Sequence, residues 1–118
     1  MLPSAARMRT RADFSAALRS GSRAGRPLLV GHLLVRAGLT EPPRAGFIVS
    51  RAVGPAVVRN RVKRRLRHLL TGYLQSLPAG SLLVLRANPP AATASQADLA
   101  AELGLIMRSL LRRQGGAV

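Results

Sequence analysis

Ten consecutive positions, Arg59-Asn60-Arg61-Val62-Lys63-Arg64-Arg65-Leu66-Arg67-His68, hold seven cationic or titratable side chains, and no acid occurs between Arg51 and Gly80. Through the same region Val58, Val62, Leu66, Leu69, Tyr73 and Leu77 recur at spacings of three and four, the period of a helix with one apolar stripe. At about 100° per residue, Asn60, Arg64 and Arg67 gather opposite that stripe, with Arg61, Lys63 and His68 flanking them. Arg59 points nearer the apolar side, but from the first turn its side chain can reach past the helix end. Whatever the fold, it must cover the stripe and leave the cations outside. A surface helix ordinarily relieves like charges with acids one turn away, and unrelieved ones are destabilising. A polyanion bound to the helix would supply that relief. Arginine presents forked donors to phosphate, and Asn60 can pair with base edges or sugar hydroxyls. These residues point to nucleic acid without separating RNA from DNA.

The rest of the chain agrees. Its 118 residues carry 19 basic and 4 acidic side chains, a net charge of +15. Asp13, Glu41, Asp98 and Glu102 are scattered singly, and nine basic residues lie between Glu41 and Asp98 without an acid among them. Such an excess raises self-repulsion in the folded state and fits a polyanionic partner. An apolar content of 47% argues against disorder. With aromatics at 3%, the core must be made of Leu, Val and Ala. No stretch approaches the roughly 20 apolar residues of a spanning helix, and Met1 to Asp13 lacks the apolar run of a signal peptide. The chain has no cysteine, which suits a reducing interior. The expectation is one soluble, cytoplasmic domain over 1–118, with its core at about 7–112 and no membrane partner. Eighteen of the basic residues are Arg, Lys63 being the exception. Because Ala, Gly and Pro are also abundant, codon bias is the simplest account of that preference.

Local signals give an order of elements. Thr10 followed by Asp13 resembles a capping box opening a short helix to about Arg19, with Phe14, Ala17 and Leu18 as its apolar stripe. Gly21 and Gly25 interrupt. Leu28 to Ala37 reads as a strand, Gly38 to Arg44 as a turn, and Ala45 to Arg51 as a second strand. On that strand Phe47, Val49 and Arg51 share one face, and Gly46, Ile48 and Ser50 the other. Gly54 and Pro55 precede the basic helix, which Pro78 and Gly80 close. Ser81 to Asn88 is a third strand. Ser95 and Asp98 repeat the capping pattern before a last helix on Leu99, Leu103, Ile106 and Leu110. The sum is a small sheet covered by helices.

The run from Gly46 through Arg64, with Arg51, Val53-Gly54 and Arg59-Asn60-Arg61 followed by Lys63-Arg64, resembles the signature of the bacterial ribonuclease P protein component. Arg7 to Phe14 is similar to that family's opening, and Leu82 to Arg86 to its late strand. The resemblance spans roughly residues 7 to 112. It implies an α+β, two-layer sandwich in the order α-β-β-β-α-β-α. The four-stranded sheet would be mostly antiparallel, with a left-handed βαβ crossover through the basic helix. It implies the small subunit of a ribonucleoprotein that removes the 5′ leader from precursor tRNA, with catalysis by the RNA subunit and its Mg²⁺. Arg59, Asn60, Arg61, Lys63, Arg64 and Arg67 would face the catalytic RNA. Phe14, with Arg9, Arg11, Arg51 and Arg86, would serve the leader. Three departures stand out. Ala52 replaces a usual Lys, Leu18 occupies an often aromatic position, and Gly31 or His32 replaces another cleft aromatic.

Rival readings are weaker. A protein nuclease would need clustered carboxylates for Mg²⁺ or a general acid/base pair, for which only His32 and His68 remain. Asp13 and Asp98 are accounted for as helix-start residues. No catalytic or metal-ligating side chain is therefore expected, and no cofactor held by protein side chains alone. A helix-turn-helix DNA binder would place a second short helix before the basic one, where a strand and Gly54-Pro55 stand instead. A ribosomal or chaperone protein shares the charge and size, and the co-purifying RNA would distinguish it.

Overall fold

The computed structural model describes Leu2 and residues 4–115. Its elements are α1 (Arg11–Ser20), β1 (Ser22–Gly25), β2 (Leu29–Val35), β3 (Arg44–Ile48), α2 (Ala56–Thr71), β4 (Ser81–Ala87) and α3 (Gln96–Gly115). Both capping signals act as expected: Thr10 Oγ1 accepts the Asp13 N–H at 3.1 Å, and Ser95 Oγ accepts the Asp98 N–H at 3.0 Å. Each satisfies a donor that the first helical turn would otherwise leave free.

The four strands lie in the order β1-β2-β4-β3. β1 pairs with β2 and β2 with β4 antiparallel, whereas β3 and β4 run parallel. A parallel pair cannot be joined by a hairpin, so the chain crosses over through α2. The fold is α+β with a mixed sheet, in the expected order of elements.

The two faces of the sheet bury different clusters. On one, Leu29, Leu33, Leu83 and Leu85 meet Val62, Leu66 and Leu70 of α2 and Leu99, Leu103, Ile106 and Leu110 of α3. Burying each such side chain is worth about 1.5–3 kcal/mol against leaving it in water. On the other, Leu82 and Val84 meet Met8 and Ala17, with Phe14 and Ile48 half-buried beside them. Residues adjacent along a strand point to opposite faces. Gly31 therefore belongs to the α3 side, where an added β-carbon would stand 2.6 Å from Ile106 Cγ2. His32 belongs to the α1 side.

Several elements differ from the sequence reading. The local residue signals do not show β1, although the resemblance implies a four-stranded sheet. This strand is four residues long and exists through its pairing with β2, a non-local contact its own residues do not signal. The second strand ends at Val35, because the next N–H, from Arg36, bonds to Gly80 O as the chain turns away. The third ends at Ile48, since Ser50 and Arg51 already accept turn hydrogen bonds from Val53 and Gly54. Phe47 and Val49 do share the α2 and α3 side, but Arg51 lies beyond the strand and is exposed. α2 stops at Thr71, and the stripe continues through a 3-10 turn at Leu74–Ser76 to the buried Leu77. Among the described residues no helix is long and apolar enough to cross a membrane.

One buried acid ties the helical layer to the sheet. Glu102 of α3 accepts from Arg26 Nε at 2.7 Å and from the Leu28 N–H at 2.9 Å. Asn88 holds the same turn from the other side, its Nδ2 donating to the Arg26 and Pro27 carbonyls. Glu102→Ala strands the Leu28 N–H. It should lower stability by about 1–3 kcal/mol in chemical denaturation, with Glu102→Gln, which keeps an acceptor, losing less. His32 generates a pH signal. Burial first, then the charges of Arg23 and Arg86, lowers its pKa below the ordinary 6.5. The unfolded chain therefore binds the proton more readily, so stability is full above about pH 6.5 and declines as pH falls through the depressed native value. Thermal melts from pH 7.5 to 5 should show a shallower decline for His32→Asn than for the parent.

Candidate nucleic-acid interface

The fold divides the polar side chains of α2 into three groups. Arg59, Arg61 and Arg65 turn back onto the protein: Arg59 Nε donates to Gly54 O at 3.1 Å, Arg61 Nη2 to Ala92 O at 3.3 Å, and Arg65 Nη1 to Ala94 O at 3.2 Å. The last two fasten the helix to the connection after β4. Asn60, Arg64 and His68 point outward and are exposed. Lys63 and Arg67 take the remaining side, half-buried, where they line a pocket of about 140 Å³. The helix starts at Pro55 with no side-chain cap and no acid in its first turn, so its positive dipole end adds to the field of the side chains.

That pocket lies at the edge strand β3. Arg7 bridges to Ala45 in parallel fashion, and the Met8 N–H donates to Ala45 O at 2.8 Å, so the N-terminal segment covers part of the edge. From the α1 side Phe14 reaches the pocket over Gly46, and from the α2 side come Lys63, Arg67 and Phe47. Gly46 makes the approach possible: an added β-carbon would stand 2.4 Å from Phe14 Cζ. Two aromatic rings, Phe14 and Phe47, and three cations, Arg7, Lys63 and Arg67, therefore share one concavity. An aromatic face stacks on a base, and cations beside it can neutralise the phosphate of the same nucleotide.

The α1 side of the sheet continues this surface. Arg86 on β4 is exposed, and it lies beside His32 closely enough to lower that residue's pKa. Leu18 is exposed one helical turn beyond Phe14. Because Gly31 faces α3, His32 is the ring at the position in question on the α1 side. Arg11 is exposed at the first position of α1, where a cation gains nothing from the helix dipole. Arg9 lines a wider pocket of about 460 Å³ with Ala5, Arg7 and Arg44. Arg51 is exposed in the turn after β3. The structure thus joins Phe14 to Lys63 and Arg67, places Arg86 on the same side of the sheet, and leaves Arg51 apart from that pocket.

Sequence reasoning passed over Arg7, Arg23 and Arg44, since their neighbours come from strand pairing. Nor did it foresee that Lys63 and Arg67 would meet Phe14. The helical period puts Lys63 on a flank but Arg67 on the outward face with Asn60 and Arg64; the structure turns Arg67 to the Phe14 pocket and leaves His68 outward, because only the sheet edge brings α1 within reach.

The acids are engaged elsewhere. Arg44 lies 3.9 Å from Asp13 and 3.6 Å from Glu41, Arg36 lies 3.9 Å from Glu41, and Glu102 is held by Arg26. Asp98 sits in the first turn of α3. Among the described residues no three His, Cys, Asp or Glu side chains come together as a metal site. His32 lies on the α1 side of the sheet, whereas His68 is exposed on α2, which packs against the other face, so the two do not form a pair. α2 is flanked by β3 and β4, so the chain has no helix-turn-helix there.

Comparisons with known proteins give the family and the fold. The family model described as Ribonuclease P matches residues 2–111. A ribonuclease P protein component of Streptomyces bikiniensis is 54% identical over 120 residues, covering 94% of this chain and 96% of its own length. One from a Nocardioides species is 56% identical over 113 residues, covering 95% and 94%. In fold, the chain is similar to the RNase P protein of Staphylococcus aureus, with a TM-score of 0.78 at 23% identity over 89% of this chain and 94% of that one. A Thermotoga maritima RNase P protein superposes with a TM-score of 0.73 at 24% identity, covering 90% and 98%. With a family model over nearly its whole length and relatives above half identity, the chain belongs to the ribonuclease P protein family.

Proposed function

We propose that this protein binds the catalytic RNA of ribonuclease P and the 5′ leader of precursor tRNA, assisting endonucleolytic removal of the leader. The observation that carries this reading is the pocket at β3, where Lys63 and Arg67 of the basic helix meet Phe14 over Gly46. Asn60 and Arg64, outward on α2, face the RNA subunit. Arg59 and Arg61 contribute charge there while their main-chain bonds hold the helix in place. Phe14 stacks on a leader base, and Arg9, Arg11, Arg51 and Arg86 neutralise phosphates along it.

Cleavage itself belongs to the RNA subunit and its Mg²⁺. The carboxylates of this chain do not fit an Mg²⁺ site, since Asp13, Glu41 and Glu102 are each taken by arginine. What the chain supplies is position and charge, in the cytoplasm where precursor tRNA is made. Its cations replace part of the counterion atmosphere that two RNAs need in order to approach.

Reconstitution tests the assignment. The protein should lower the Mg²⁺ concentration at which its own catalytic RNA cleaves precursor tRNA, and the protein without RNA should not cleave. Arg64→Ala should reduce the slope of log affinity against log salt for the RNA subunit by about one, and Asn60→Ala should weaken binding without changing the slope. An unchanged slope for Arg64→Ala would remove α2 from the RNA interface.

Phe14→Ala should weaken holoenzyme binding to precursor by about 1–3 kcal/mol, one lost base stack, and leave mature tRNA unaffected. Gly46→Ala forces the ring from its seat and should reproduce that selective loss. Equal losses for both RNAs, together with a large drop in melting temperature, would make Phe14 a core residue instead.

A further inference from the structure

The edge of the sheet opposite β3 carries a second concentration of arginine. Arg23 on β1, Arg26 in the β1–β2 turn and Arg113 near the end of α3 line a pocket of about 430 Å³ with Leu105 and Ser109. Arg113 Nη1 donates to the Arg23 carbonyl, which seats the end of α3 against the edge strand. Arg108 and Arg112 are exposed on the same helix, and the helical period puts them on one broad face with Leu105 and Ser109. Glu102, the acid at this edge, is already committed to Arg26 and to the Leu28 N–H. Leu105 is 42% exposed among these cations, an apolar ledge on which a base can rest. Arginines gathered in excess of acids oppose folding, and a polyanion lying over them removes the penalty.

Strand register connects this edge to the pocket at Phe14. Gly46 pairs with Val84, Val84 with His32, and His32 with Arg23. In the neighbouring row Ile48 pairs with Arg86, and Arg86 with Val30. On the α1 side, the residues of these rows that reach the surface lead from Ile48 beside Phe14 through Arg86 and His32 to Arg23. The crossing spans three interstrand spacings, about 14 Å. A single strand seated at Phe14 and running over Arg86 arrives at Arg23 and Arg113.

We propose that the β1–α3 edge, through Arg23, Arg108, Arg112 and Arg113, binds phosphates of the precursor leader upstream of the nucleotide held at Phe14. The leader then crosses the whole sheet from β3 to β1. This extends the leader-binding reading given above and rests on it. The remaining edge cation, Arg26, spends its charge on Glu102 and anchors the turn.

Leader length separates this edge from the Phe14 pocket. Holoenzyme is assembled from the full chain and the catalytic RNA. Its affinity is measured for precursors with leaders of about two and about eight nucleotides, the latter within the usual span of a single-strand groove. Arg23→Ala, Arg113→Ala and the pair Arg108→Ala with Arg112→Ala should each lose roughly three- to tenfold in affinity for the long leader. Each single variant should also flatten the salt slope by about one. Binding of the short-leader precursor and of the catalytic RNA should stay unchanged. The Arg108 and Arg112 pair leaves the Arg113–Arg23 bond in place, so a loss there does not come from loosening α3. Equal losses for long and short leaders, weakened binding of the catalytic RNA, or no loss in any variant would overturn the proposal. Silent arginine variants beside an active Phe14→Ala effect would sink this edge alone. A parent holoenzyme indifferent to the leader would take the underlying reading down as well.

Discussion

The parallel pairing of β3 with β4 governs the rest of this molecule. Two parallel neighbours need a crossover, and here the connecting residues form α2. Its stripe of Val62, Leu66 and Leu70 is pressed onto one face of the sheet, which fixes the rotation of the helix and so the direction of every cation on it. Because β3 is also an edge strand, the flank of α2 nearest it meets what comes around from the other face. Lys63 and Arg67 thereby stand beside Phe14, although the residues belong to layers on opposite sides of the sheet.

A helix with this much like charge and no acids has to be held together by something. Main-chain carbonyls do part of it. Gly54, Ala92 and Ala94 accept from Arg59, Arg61 and Arg65, so three guanidinium groups find partners that carry partial negative charge and cannot titrate. A carbonyl leaves the guanidinium charge in place, whereas a carboxylate would cancel it. The helix thus keeps its field while its geometry is fixed. Carboxylates are used elsewhere, as at Arg44 and Arg26, where the arginine lies in a turn or at a strand start and its charge is locally quenched.

The sequence made the helices legible because their signals are local. Thr10, Ser95 and the α2 stripe each announce an element through residues three or four positions apart, and each stands where it was expected. What the local signals alone do not show depends on distant partners. β1 has no alternation of its own and exists because Ser22 to Gly25 lie against β2. The end of α2 was hidden because the apolar spacing survives into the 3-10 turn, where Leu77 is still buried. The candidate site shows the same divide. The cations of α2 could be named from their period, whereas the choice between Gly31 and His32 required knowing which face α3 covers.

The scarcity of aromatic residues makes the glycine at position 46 more consequential than its size suggests. A stacking surface built from several rings tolerates the displacement of one. Here Phe14 is the only ring that α1 brings to the pocket, and its seat exists because no β-carbon stands at Gly46. In the proposed reading, base stacking is thin and phosphate neutralisation is abundant, a balance that shifts recognition from base identity toward the path of the backbone. Backbone contacts are worth most when many act along one strand, since each adds its own counterion release. A chain with few rings and an arginine excess therefore gains by lengthening the track it offers to RNA, and a sheet that α1 covers only in part, with cations at both edges, is a way to lengthen it.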